Sequence, residues 1–302
     1  MELIFLGTSG AVPTKERNLS ALVLEYLNEL YLFDCGEGTQ RQMNHAGVNF
    51  MRVDHIFITH LHADHFLGLG GLIQSMDFME RTKDLEIYGP PGMQEALRHL
   101  LSAGTFRLDS FDINVDEISE GLVLEHPRYS IHCMKTRHTN ESYAYSFQEA
   151  SHRKFQKQKA LDMGIPEGRL FSKLQRGEQV EVDGKTFTPD MVLSQPIPGR
   201  KIVYTGDTRY MPELAEFSLN ADILIHEATY SIEEEEKLAE AHHSTTQQAA
   251  QTAQDAKAQK LYLTHISQRY TEPEKLEAEA QQIFPESHVA SDYQRIKIEK
   301  HW

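Results

Sequence analysis

The sequence predicts an α/β fold whose strands carry polar side chains to one shared place, and three features predict it. The stretch Thr59-His60-Leu61-His62-Ala63-Asp64-His65 follows the apolar run Asp54–Ile58 and precedes an apolar run from Phe66 to Met79, which reads as strand, loop, helix. Four more apolar runs end on His138, Asp207, Glu227 and His265. Between Phe111 and Gln148, strand-like segments follow one another with few helices, as on one face of a sandwich.

At 302 residues the chain is long enough for one large domain or two, each with a sizeable core. Its 40% apolar and 25% charged residues are those of an ordinary globular protein. No apolar run approaches the ~18 residues of a membrane helix, so no membrane association is expected. Met1–Leu6 lacks the basic region and cleavage site of a signal peptide and reads as a first strand. Two cysteines, Cys35 and Cys133, give no disulfide framework and no metal-binding spacing; buried positions in a reducing cytoplasm are expected.

A net charge of -15 argues against nonspecific binding to nucleic acid, because phosphates call for positive charge. The charge is unevenly spread. Between Ala150 and Gly177 stand Arg153, Lys154, Lys157, Lys159, Arg169, Lys173 and Arg176 against only Asp162 and Glu167. Seven cations against two anions make this stretch +5, which leaves -20 for the rest of the -15 chain. It is either a solvated surface or the contact for a polyanion.

Taken in order, Met1–Gly7 is a strand that ends in the turn Gly7-Thr8-Ser9-Gly10. Pro13-Thr14-Lys15-Glu16-Arg17-Asn18 is a polar loop, readable equally as a connection or as a phosphate or base contact. Leu19–Glu25 and Leu30–Asp34 form a hairpin, and Asp34–Thr39 turns into a helix through Ala46. Beyond the histidine-rich loop come a strand at Leu85–Tyr88, a Gly89–Gly92 turn and a helix to Ser102. Strands follow at Phe111–Val115, Gly121–Leu124, Tyr129–Thr136 and Tyr143–Gln148.

The stretch Glu149–Arg200 breaks this pattern and reads as an insertion projecting from the core. It holds a basic helix, Lys154–Met163, then short strands punctuated by Gly and Pro. Lys201–Thr205 and Asp222–Ile225 are buried strands that deliver Asp207 and Glu227. The acidic run Glu233–Glu236 opens a helix, and Ser244 caps another at Thr245–Ala258, with His243 just before it. Lys260–Thr264 delivers His265; a helix at Glu272–Ile283 and a strand at Gln294–Ile298 complete the chain.

His60 and His62 alternate along a strand exit and can face one side, while Asp64 and His65 begin the helix and can face a second point. Imidazoles and carboxylates are the ligands zinc takes in open, catalytic sites. Four such groups in six residues exceed the needs of one ion. A chance cluster among 16 histidines is the weaker reading, because strand, loop and helix all agree. The pattern points to a hydrolytic centre of two divalent ions ~3.5–4 Å apart, which makes hydroxide available near neutral pH and clamps a phosphodiester. Asp207 is the choice for the carboxylate bridging them.

The motif His60–His65, with His138, Asp207 and His265 downstream, resembles the metallo-β-lactamase superfamily. Within it, the chain is similar to the ribonuclease Z family, the endonucleases that process tRNA 3′ ends. The similarity is carried by Phe5–Thr8, Pro13–Asn18, Phe33–Glu37, Gly206–Thr208, His226–Thr229, His243–Thr245 and His265–Tyr270, in order over nearly the whole chain. The resemblance implies one αββα sandwich domain over residues 1–302, carrying a protruding tRNA-binding arm at 149–200. It implies two zinc ions per subunit, with manganese an alternative: His60, His62 and His138 on one, Asp64, His65 and His265 on the other, and Asp207 between.

On the same resemblance, Asp64 helps orient or deprotonate the attacking water, and His243, oriented by Glu227, protonates the departing 3′ oxygen. Lys15, Arg17 and Asn18 lie near the discriminator end, Arg269 near a phosphate, and Lys154 and Lys157 in the arm. The substrate is precursor tRNA, cut after the discriminator nucleotide to leave a 3′-hydroxyl and a 5′-phosphate, by a cytoplasmic homodimer. Two departures stand out: Ala63 where glycine is common, and Gly168-Arg169 where Gly-Pro is common. The rival readings are a small-ester or sulfate hydrolase of the same superfamily, a tRNA-binding relative without catalysis, and a DNA nuclease.

Overall fold

The computed structural model describes residues 1–237 and 242–301. Its first strands form a meander: Glu2–Gly7, Ala21–Tyr26 and Glu29–Phe33 pair antiparallel. Leu27 and Asn28 join the last two with positive φ at both positions, which matches the right-handed strand twist. Val53–Phe57, Leu85–Gly89 and Ile113–Glu117 then add in parallel, and Arg295–Lys297 pairs with the far edge of Glu2–Gly7. Among the described residues this sheet has seven strands.

A second seven-stranded sheet runs, edge to edge, Ser287–Val289, Lys260–Thr264, Ile223–Glu227, Lys201–Tyr204, Tyr143–Glu149, Tyr129–Lys135 and Gly121–His126. The run from Phe111 to Gln148 therefore does not make a single face. Ile113–Glu117 returns beside Leu85–Gly89 after the helix Met93–Leu101, a crossover that makes the two strands parallel neighbours, while the next three strands build the other sheet.

One apolar cluster joins the facing sides of the sheets, with Phe5, Tyr31, Phe33 and Phe57 from one and Ile131, Tyr145, Phe147 and Ile225 from the other. The outer face of the first sheet buries Ile4, Leu32 and Ile56 against the helices Thr39–His45, Gly68–Phe78 and Met93–Leu101. That of the second buries Val203, Leu224 and Leu261 against Thr246–Asp255 and Pro273–Gln281. The order is helix, sheet, sheet, helix, the αββα sandwich.

The chain divides into two compact units, one of residues 1–148 and 201–299, the other of residues 149–200 with the residues from Lys300. The second unit has its own core of Ala160, Ile165, Leu174, Val180, Phe187 and Val192. It holds the helix Lys157–Asp162, shorter than the expected Lys154–Met163, and a hairpin of Val180–Val182 with Lys185–Phe187. It also holds a helix, Arg169–Gln175, where short strands were expected. Gly168 and Gly177 bracket this segment and read as loop punctuation, which hid the seven-residue helix between them. Arg169 takes the first helical position, where proline is also tolerated, so Gly-Arg serves where Gly-Pro is common.

Several boundaries shift for local reasons. Thr245, not Ser244, caps the helix Thr246–Asp255: its hydroxyl accepts from Gln248 N, and the Gln248 side chain answers to Thr245 N. Ser244 instead donates to Thr208 O. Glu233–Glu236 lies within a 3₁₀ segment, Ile232–Lys237. The helix Pro212–Phe217 and the strand Ser287–Val289 had no sequence reading. Both cysteines are buried and free, and burial pushes each thiol up to about 12. Among the described residues no helix is long and apolar enough to cross a membrane.

Candidate metal centre

The strand Val53–Phe57 runs on through Ile58 and Thr59 to His60, which is fully buried. His62 precedes the short helix Ala63–Phe66, and this turn puts Asp64 and His65 on the far side of His60. Ala63 is the first residue of that helix and is absent from the positive-φ positions, so alanine is accommodated there. His138 follows Tyr129–Lys135, Asp207 follows Lys201–Tyr204, and His265 follows Lys260–Thr264. His265 holds a positive φ, and Gly10 lies so close that a Cβ there would sit 2.6 Å from its ring.

These seven side chains converge. His60, His62, His138 and Asp207 form one group whose ligand atoms lie within 4.8 Å of one another; Asp64, His65 and His265 form another. Asp207 Oδ2 lies between them, 3.8 Å from His60 Nε2, 3.7 Å from His138 Nε2, 3.4 Å from His65 Nε2 and 3.3 Å from His265 Nε2. His62 Nδ1 and His138 Nε2 face each other at 3.0 Å. Asp64 Oδ2 accepts from Ala11 N at 2.8 Å and lies 3.3 Å from His265 Nε2.

The donor set fits divalent cations. Three of the buried polar atoms without a hydrogen-bond partner among the described residues, His60 Nε2, His65 Nε2 and Asp207 Oδ1, belong to this cluster. Buried polar atoms normally have partners. Neutral imidazoles and ionised carboxylates are what a cation requires. Burial, with His65 nearby, holds His60 well below the usual histidine range, and burial also lowers His62 and His138. Burial opposes ionisation of Asp207 and Asp64, yet the surrounding imidazoles hold both carboxyls below the usual range. His65 is raised against its burial by Asp207 and Asp34, the carboxylates that face its two ring nitrogens.

Outer partners fix the rings. Asp34, at positive φ after Glu29–Phe33, accepts from His65 Nδ1 at 2.7 Å, from Tyr204 Oη at 2.8 Å and from Thr59 N and Oγ1. His138 Nδ1 donates to His242 O at 3.0 Å, and His242 Nδ1 returns a bond to His138 O at 2.9 Å. Thr229 Oγ1 lies 2.8 Å from His265 Nδ1. Such partners set which ring nitrogen points inward. Asp34 had the signal of its neighbours, a polar residue ending an apolar strand, but its turn sequence masked it. Thr229 and His242 had no local signal.

Glu227 and His243 adjoin the cluster. Glu227 is fully buried; its Oε1 accepts from His243 Nδ1 at 2.8 Å and from Thr208 N, and its Oε2 from Thr229 Oγ1. Burial alone would lower His243, but Glu227 and then Asp207 raise it to about 9. Its Nδ1 is committed, which leaves Nε2 as the available nitrogen.

The other expected contacts fare differently. Arg17 is tied inward, donating to Thr8 Oγ1 at 2.6 Å and Ala290 O at 2.5 Å. Asn18 donates from Nδ2 to Glu37 O at 2.9 Å. Lys15 is exposed. Arg269 pairs with Glu234 at 2.8 Å and lies over the Tyr230 ring. In the second unit, Lys154 is exposed and Lys157 pairs with Glu167 at 2.6 Å.

Residues 1–158 match the family model described as the anti-Pycsar protein Apyc1, and residues 183–266 match the beta-lactamase superfamily domain. The chain is 44% identical to the ribonuclease Z of Methanothermobacter thermautotrophicus, covering 99% of this chain and 97% of that one. It is 42% identical to the ribonuclease Z of Archaeoglobus fulgidus, covering 98% and 97%. Among solved structures it is similar to the short form of human tRNase Z, with a TM-score of 0.73, 28% identity and coverage of 99% and 100%. The matched models each cover part of the chain, whereas these relatives run along nearly all of it: the chain belongs to the ribonuclease Z family, on a beta-lactamase-type fold.

Proposed function

We propose that the protein is a metal-dependent endoribonuclease that removes the 3′ trailer of precursor tRNA after the discriminator nucleotide. The observation that carries this reading is the buried cluster around Asp207, with the Glu227–His243 pair beside it, in a chain that aligns with ribonucleases Z over 99% of its length. His60, His62 and His138 would hold one zinc ion, Asp64, His65 and His265 a second, and Asp207 both. When bound, the ions supply Lewis acidity to the phosphodiester and lower the pKa of water in the site.

The remaining chemistry belongs to the chain's own groups. Asp64, held by Ala11 N through Oδ2, orients the attacking water and takes up its proton. Water oxygen bonds to phosphorus as the bond from phosphorus to the 3′ oxygen breaks. His243 Nε2 gives its proton to that oxygen, and Glu227 holds the ring in place and keeps it protonated. The products are a tRNA 3′-hydroxyl and a trailer 5′-phosphate.

The loop Pro13–Asn18 borders the Asp64 and His265 side, since Ala11 bonds Asp64 and Gly10 abuts His265. It would meet the discriminator end, with Lys15 free to touch RNA and Arg17 holding the loop in shape. The second unit would grip the tRNA body. There Lys154, Lys159, Arg169 and Lys173 have no ion pair among the described residues, so the basic stretch keeps much of its charge available. Arg269 would meet a phosphate only by giving up Glu234. We further assign the protein to the cytoplasm, where precursor tRNA is processed, as a homodimer.

The test is cleavage of a 3′-extended precursor tRNA. A single cut after the discriminator is expected, abolished by chelator, restored by zinc or manganese, and lost in His65→Ala. Intact RNA with wild-type protein and added metal would overturn the reading and leave a small-ester hydrolase in its place.

A further inference from the structure

Beside the centre, on the His138 side, lies a cavity of about 300 Å³ lined by Arg137, His138, Thr139, Asn140, Arg209 and His242. It has no carboxylate in its lining, although the chain as a whole carries -15. The two arginines are set by the frame that sets Asp207. Arg209 N donates to Arg137 O at 3.2 Å, Arg137 N donates to Thr208 Oγ1 at 3.2 Å, and Thr136 Oγ1 donates to Asp207 O at 3.1 Å. Arg137 pairs with Glu213 at 2.8 Å, both about half exposed. Arg209, partly buried, has no side-chain partner among the described residues. Its guanidinium is the unspent charge of the cavity.

We propose that this cavity is the subsite for the trailer strand, holding through Arg209 the phosphate that follows the first trailer nucleotide. The inference rests on the nuclease reading above and extends it to a part of the substrate which that reading leaves unplaced. The direction comes from the two ends of the cluster. Gly10 and Ala11, which lead into the loop Pro13–Asn18, lie at the Asp64 and His265 end, and the arginine cavity lies at the His138 end. A strand that meets the loop on one side of the scissile bond would pass over His138 on the other. Arginine, asparagine and threonine are donors suited to phosphate and sugar oxygens, contacts that carry no base identity. The cavity therefore favours a backbone contact that is indifferent to trailer sequence.

The contact can be isolated by trailer length, because a single-nucleotide trailer contains no phosphate besides the scissile one. Precursor tRNAs with a single-nucleotide trailer and with a longer one are compared in wild type, Arg209→Ala and Arg209→Lys. The ratio of kcat/KM for the longer trailer over the shorter is expected to fall about tenfold in Arg209→Ala, the size of a charged hydrogen bond. Arg209→Lys should recover part of it. The slope of log affinity against log salt for the longer substrate should shrink by about 0.7, one single-strand phosphate. A ratio unchanged in Arg209→Ala, even with both rates lowered, overturns the subsite. Wild-type protein that cuts neither RNA overturns the nuclease reading, and the subsite with it.

Discussion

Glu227 is fully buried with both oxygens occupied, so its charge is stabilised by Thr208, Thr229 and His243 rather than by water. Replacing it by glutamine keeps the shape and removes the anion that raises His243 to about 9. The acid form of His243 is then lost at lower pH. In Glu227→Gln the alkaline limb of the kcat–pH profile is expected to move from about 9 toward the ordinary histidine value of 6.5, with kcat falling roughly 10²-fold, the usual range for a misplaced acid. A profile that keeps its alkaline limb would remove His243 from the acid role. At this scale the cluster was legible because His60, His138, Asp207 and His265 each follow an apolar strand and His62, Asp64 and His65 crowd the turn after His60. Thr229 and His242 were not: they reach their partners, His265 and His138, across 36 and 104 positions, a relation that no local pattern records.

The elements differ in how much local sequence decides. Strands such as Lys201–Tyr204 are unbroken apolar runs and could be placed within a residue or two. The helix Arg169–Gln175 could not, since its apolar positions Leu170, Phe171 and Leu174 span barely two turns between Gly168 and Gly177, too few to set a period. The second unit depends on closure at its ends. Glu149 and Arg200 are both buried and pair twice, at 2.8 and 2.9 Å, while bridges join His152 to Ile197 and Phe155 to Leu193. Glu149→Ala leaves the Arg200 charge buried without its carboxylate, a loss of about 3–5 kcal/mol. Hydrogen exchange of amides 150–199 is expected to quicken, with the strands around Asp207 still protected. Uniform protection in the variant would show that the pair is dispensable.

For the whole molecule, the two-sheet architecture was half legible. Strand positions follow from sequence, but the sheet that a strand joins does not, as Ile113–Glu117 illustrates. Phe78 is 88% and Met79 59% exposed, beside a cavity of about 720 Å³ that Phe50 and Phe106 also line. We take this face as the place where the proposed homodimer would meet. A homodimer that covers it should show twice the 34.6 kDa chain mass by light scattering, and Phe78→Asp should return the single-chain mass. A wild-type protein of single-chain mass would dismiss the dimer. Another feature governs the order of events in synthesis. Asp292 accepts from Thr8, Asn18 N and Gln42, and Arg295–Lys297 pairs with Glu2–Ile4, so the loop beside Asp64 is braced by residues made more than 250 positions later. Contacts of such long range form late. Until Asp292 has been made, the loop that would meet RNA lacks this brace and has only its nearer contacts, such as Asn18 Nδ2 to Glu37 O.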